Sequence, residues 1–86
     1  MPADPKLVLE EDVMRFVLSL AGPRRRRLLS QLEHLRNHCH EASDFREQDR
    51  SGRWLNVKML RPFLITYWVD GPVDELRIVD VGLVRV

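Results

Sequence analysis

One cysteine, Cys39, is all the sequence contains, so no disulfide can form within the chain, and that suits a reducing compartment. Glycines number only 4, and they form neither a phosphate-cradling loop nor a dinucleotide fingerprint. A Gly-x-Ser-x-Gly elbow is missing as well. No apolar run approaches the roughly 20 residues that a spanning helix needs. Nor does a basic segment after Met1 lead into an apolar stretch, so neither a membrane segment nor a secretory signal is expected. The expectation is a cytoplasmic protein. Charge of one sign is absent too: 14 Lys+Arg stand against 13 Asp+Glu. The near balance hides local clusters, since Arg24 to Arg27 is an unbroken basic run and Glu10, Glu11 and Asp12 gather near the amino terminus.

What is present is an ordinary globular composition, 44% hydrophobic and 31% charged, over 86 residues. That length makes one domain, residues 1 to 86, with no visible repeat. A domain of this size buries only about 60 to 65% of the surface its unfolded chain exposes, so a partner can matter for stability.

Lys6 to Leu9 reads as a short edge strand, and Glu10-Glu11-Asp12 places negative charge where a helix amino terminus favours it. Val13, Phe16, Val17 and Leu20 then fall at i, i+3, i+4 and i+7 along one helical face. Gly22-Pro23 ends this helix and starts a second, expected to run to His38 on the repeat Leu28, Leu32, Leu35, Cys39. Residues His40 to Gly52 are polar with little periodicity and read as a connecting loop, with Phe45 anchoring it to the core.

From Gly52 onward the pattern is an antiparallel meander of three strands: Arg53 to Leu60, Phe63 to Val69 and Leu76 to Val81. Turns fall at Arg61-Pro62 and at Asp70 to Asp74, where proline and glycine punctuate the chain. In the first strand Leu55, Val57 and Met59 alternate with Trp54, Asn56 and Lys58, and the first set is expected to face the core. The other two strands are apolar on both sides, with Leu76 and Ile78 opposing Val79, Val81 and Leu83. A helical hairpin covers one face only, which leaves Trp54, Leu64 and Trp68 for another chain.

Candidate chemistry is sparse. His34, His38, Cys39 and His40 cluster near a helix end, but they lack a third and fourth ligand at fixed spacing, and placement near the negative helix terminus explains the histidines equally. Neither a metal nor any cofactor is expected. Cys39 lies on an apolar stripe, where a free thiol behaves as a small hydrophobe. Asp70, Asp74, Glu75 and Asp80 read as turn and edge charges. The run Arg24 to Arg27 admits two readings: a solvated surface, or a site for phosphate or an acidic segment.

The order of short strand, helical hairpin, polar linker and meander resembles the RelE/ParE superfamily of bacterial type II toxins. The likeness is carried by Gly52 to Lys58, by Pro62 to Tyr67 and by Ile78-Val79-Asp80-Val81-Gly82. It implies an α+β domain in which an N-terminal strand and a helical hairpin pack with a mainly antiparallel C-terminal meander. It also implies a plasmid-stabilisation type of toxin neutralised by a cognate antitoxin, acting as a ribosome-dependent mRNA interferase or on gyrase. Lys58 matches the lysine such toxins carry on the first meander strand, and Phe63 and Tyr67 match the next signpost, but Leu64 stands where an arginine is expected.

Lys58, Arg61 and Arg85 are the catalytic candidates, and Arg53, Trp54, Lys58, Arg61 and Trp68 the candidates for contacting nucleic acid or a protein partner. Three functions stay open: an endoribonuclease, a non-nuclease toxin, and a non-toxic interaction scaffold using Trp54, Leu64 and Trp68. Homodimer and heterocomplex stay open with them.

Overall fold

A computed structural model describes residues 4–84. Strand β1 (Lys6–Leu9) is followed by helices α1 (Glu11–Ser19) and α2 (Gly22–Asn37). Strands β2 (Phe45–Gln48), β3 (Trp54–Leu60), β4 (Phe63–Asp70) and β5 (Glu75–Leu83) come next. They form one sheet in the order β1-β5-β4-β3-β2, with β1 parallel to β5 and every other pair antiparallel. No described helix is long and apolar enough to cross a membrane.

Both helices cover one face of the sheet. Val13 and Val17 from α1 and Leu28, Leu32 and Leu35 from α2 pack with Phe63, Ile65, Tyr67, Leu76, Ile78 and Val81. Cys39 joins this core as the small hydrophobe expected. Burial pushes the Cys39 thiol above its ordinary 9.0, and it pushes the Tyr67 phenol above 10.0, where negative charge on Cys39 and Asp44 adds to the effect. Both groups therefore stay protonated in the fold while the unfolded chain ionises first. Their contribution to stability is complete below about pH 9 and is lost as pH rises through the folded values. The urea midpoint should fall as pH rises above about 9, and Tyr67→Phe should blunt that fall.

The basic run proves partly structural. Arg25 donates from Nε to the Val17 carbonyl at 3.1 Å and from one Nη to those of Leu18 and Leu20 at 3.0 and 2.9 Å, so it caps the carbonyl end of α1, where Val17 also accepts from the Leu20 amide. Arg27 and Gln31 donate to the Arg61 carbonyl, which ties α2 to the β3–β4 turn. Arg25→Ala should therefore cost about 1.5–3 kcal/mol. Arg24→Ala, on an exposed position of the same helix, should stay within about 0.5 kcal/mol. Thermal unfolding of the two variants measures the difference.

Three expectations are corrected. The first concerns the linker, which contains β2: Phe45 pairs with Val57 and Gln48 with Trp54. All four residues of β2 are exposed, and Phe45, 48% exposed, does not anchor the core. An edge strand wet on both sides carries no apolar alternation to read.

The second concerns β3, whose faces are reversed. Lys58 pairs with Ile65 and Asn56 with Tyr67, so Trp54, Asn56 and Lys58 share the helix side with the core, because directly opposed residues point the same way. Leu55, Val57 and Met59 lie on the open side. Leu55 and Val57 are buried there between β2 and β4, whereas Met59 is 38% exposed.

The third resolves the ambiguity in β5. Tyr67 pairs with Ile78 but Thr66 with Asp80, so Val79 is an extra residue in a bulge. The bulge shifts the alternation by one, which puts Val81 on the same side as Leu76 and Ile78 and leaves Val79 on the open side.

Candidate nucleic-acid interface

The helices do not reach the far edge of the face they cover, and a trough is left along β3 and β2. Its wall is the side of α2 that carries Arg27, Gln31 and His34, continued by His38 just past the helix end. Its floor is the helix side of β3, from the Arg61 turn past Lys58 and Asn56 to Trp54, continued on β2 by Arg46. Lys58 and Trp54 are about 13 Å apart along the strand at roughly 3.3 Å per residue.

Two hollows lie side by side in the trough. A small cleft of ≈ 40 Å³ is lined by His34, His38, Glu41, Lys58 and Tyr67, together with Leu35, Ala42 and Leu60. That volume admits a water or the oxygens of a phosphate, and no base. Beside it, sharing Glu41 and Ala42, is an open hollow of ≈ 430 Å³ bounded by His40, Ser43, Arg46 and Asn56, within the size range of small-molecule sites. On the same side of β3 Trp54 is 52% exposed, with the Arg46 guanidinium 5.2 Å from its ring centre.

In the small cleft His38 Nδ1 is 3.2 Å from a Glu41 carboxylate oxygen, and the His34 and His38 rings lie 4.4 Å apart at 32°. Lys58 Nζ reaches the Ala42 carbonyl at 3.5 Å. Burial keeps the Tyr67 hydroxyl protonated, so it is available as a donor at the cleft floor. No group of three or more His, Cys, Asp or Glu suited to holding a metal ion occurs among the described residues.

The open face is chemically different. Trp68 lies there between Arg53, 4.0 Å from its ring centre, and Arg77, 5.8 Å from it. Arg77 is already paired with Glu75 at 2.8 Å and Asp70 at 3.7 Å. The ≈ 600 Å³ hollow around Trp68 is rimmed by Glu10, Glu11, Asp12 and Asp49, four carboxylates against two guanidiniums. Such a surface repels phosphate. Asp49 is held below its ordinary 3.8, chiefly by the Ser51 hydroxyl, and its carboxylate also accepts from the Ser51 and Arg53 amides.

The sequence candidates are thus divided between two faces. Lys58 and Trp54 share the trough and Arg61 stands at its end, whereas Arg53 and Trp68 sit together on the open side. Arg85 lies outside the described residues. Leu64 pairs with Met59 and Gly82 on the open side, so an arginine there would add no charge beside Lys58. Arg46, which is not among the sequence candidates, belongs to the trough through β2.

Neither a protein-family model nor a curated protein sequence matches the chain. Solved structures do. An archaeal RelE-RelB complex from Pyrococcus horikoshii OT3 matches with a TM-score of 0.70 at 17% identity, over 94% of this chain and 96% of that one. An arginine-to-alanine variant of the E. coli toxin RelE in the free state matches with a TM-score of 0.70 at 16% identity, over 94% of this chain and 84% of that one. The likeness is one of fold, and the chain, with two helices on a five-stranded, mostly antiparallel sheet, has the α+β fold of the RelE toxins.

Proposed function

We propose that the protein is the toxin of a toxin-antitoxin pair, an endoribonuclease that cuts mRNA bound in the trough and is neutralised by an antitoxin seated on the open face of the sheet. The observation that carries this reading is the separation of charge between the two faces. Lys58, Arg46, Arg27 and Arg61 line or flank the trough, while carboxylates rim the hollow opposite. Phosphate is attracted to the first and turned away from the second.

In this reading Trp54 offers an exposed ring on which a base stacks, and Lys58 reaches the adjacent phosphate in the small cleft. Arg61 guides the strand into the trough from the turn. Arg53 and Trp68 take the other role, contacting the antitoxin through an aromatic ring flanked by both signs of charge. The archaeal neighbour was solved with RelB, which supports such a partner.

A net charge of +1 gives the chain little electrostatic hold on free RNA. That favours a substrate presented by a larger body, and the ribosome holding its message fits. The test is induced expression in a bacterial host, with mRNA 5′ ends mapped before and after induction. Growth arrest with new cuts inside translated frames, relieved by coexpressing the product of the neighbouring reading frame, is the expected result. Arrest without new cuts would point to a non-nuclease toxin, and no arrest would overturn the toxin reading.

A further inference from the structure

The sheet ends in two unlike edges, and one of them is complementary to itself. Strands β1 and β2 each bond to a neighbouring strand on one side alone. In β1 the Lys6 amide donates to the Asp74 carbonyl at 2.9 Å and the Glu10 amide to that of Ile78 at 3.1 Å, so residues 6, 8 and 10 turn their backbone groups towards β5. The amides and carbonyls of Leu7 and Leu9 therefore point out of the edge. The Leu7 and Leu9 side chains pack against the core, whereas Lys6, Val8 and Glu10 alternate onto the open side.

We propose that two copies of the chain join through β1, antiparallel about a two-fold axis at Val8, so that one sheet runs through both. An axis normal to the sheet keeps the helices of both copies on the same side, and directly opposed residues then share a face. With the axis at Val8, Leu7 of one copy meets Leu9 of the other, and their outward amides and carbonyls close as hydrogen-bonded pairs. Val8 meets its own counterpart. Lys6 meets Glu10 at both ends, a cation opposite a carboxylate, and both side chains are exposed in the single chain. Moving the axis to Leu7 brings in Pro5, which has no amide to donate, and sets Lys6 against Val8. Moving it to Leu9 sets Glu10 against Val8 and runs into α1 at Glu11.

The other edge lacks this match. In β2 an axis at Arg46 opposes two guanidiniums, and an axis at Glu47 opposes two carboxylates. Like charges in direct opposition are destabilising, and charge on an exposed edge guards against self-pairing. The edge beside the trough thus stays clear, and the dimer carries its two troughs at its far ends, on the same side of the sheet. This interface is independent of the RNA and antitoxin readings, and its failure leaves them standing.

The test is sedimentation velocity of the full chain at rising concentration, for the unaltered protein, Lys6→Glu, Glu10→Lys and the double exchange, beside mild oxidation of Val8→Cys and Lys6→Cys. The unaltered protein should move to twice its monomer mass. Each single reversal sets like charges opposite at both ends and should weaken the dimer by about 10-fold or more, and the double exchange should restore it. Val8→Cys should form a disulfide between copies, since residues opposed in a non-hydrogen-bonded pair lie about 4.5 Å apart at Cα. Lys6→Cys should not, being displaced from its counterpart by about 13 Å along the strand at roughly 3.3 Å per residue. Cys39 is buried and serves neither link. A monomer at every concentration with no disulfide at position 8 overturns the proposal. So does a dimer equally strong in Lys6→Glu, or one that links as readily from position 6 as from position 8. Oxidation of Val8→Cys reads the register with the charges intact, so it decides the matter even where a reversal variant fails to fold.

Discussion

Replacing Lys58 with alanine should lower single-turnover mRNA cleavage by about 10²- to 10³-fold, the usual cost of removing one donor aimed at developing negative charge. Thermal stability should barely move. Lys58 sits at the mouth of the cleft and its hydrogen bond to the Ala42 carbonyl, at 3.5 Å, is at the limit of useful length. Losing it belongs with surface substitutions, within about 0.5 kcal/mol. Lys58→Arg should recover part of the rate, because the charge remains while its geometry changes. The measurement is the cleavage rate at saturating ribosome concentration beside a melting curve, and a Lys58→Ala protein that cuts at the unaltered rate would remove the lysine from the chemistry.

The largest effect on stability should come from Phe63→Ala. Phe63 is fully buried, and its ring meets that of Phe16 edge to face at 6.4 Å between centres, so one side chain joins β4 to α1. Removing a buried phenylalanine costs about 3–5 kcal/mol through lost transfer energy and the cavity left behind. The edge-to-face pair, worth about 0.5–1.5 kcal/mol beyond burial, is lost with it. Against a total of about 5–15 kcal/mol for a typical domain, that is a large share. Chemical denaturation should show a much lower midpoint. Phe63→Leu should fall between the two because it refills most of the volume.

Much of this architecture was legible because burial wrote a period into the residues. Val13, Phe16, Val17 and Leu20 mark α1 at helical spacing, and Leu28, Leu32 and Leu35 mark α2; all of these side chains meet the core. The strands β3 to β5 and their turns were equally plain. β2 was not, since a strand exposed on both sides leaves no alternation, and without it Arg46 stood as one more basic residue of a linker and not as a site candidate. The face of β3 was read backwards for a different reason. Leu55 and Val57 are as apolar and as buried as core residues, yet they are covered by neighbours on the open side.

The site was legible in part. Lys58 and Trp54 were named as candidates, and the histidines near the end of α2 stood out, though as possible ligands or as helix-end charges. What the residues could not express is that α2 lies along β3, bringing His38 and Glu41 into one cleft with Lys58. The division of Arg53 and Trp68 from Lys58 depends in the same way on strand register, since one position along β3 changes the face.

The central claim is that RNA and antitoxin take opposite faces of the sheet, and photocrosslinking tests it most directly. A photoreactive benzoylphenylalanine replaces Trp54 in one protein and Trp68 in another, each expressed briefly in a bacterial host with and without the neighbouring reading frame. The account predicts that the probe at position 54 captures RNA and the probe at position 68 captures the coexpressed antitoxin. RNA captured at position 68 and absent from position 54 would contradict it.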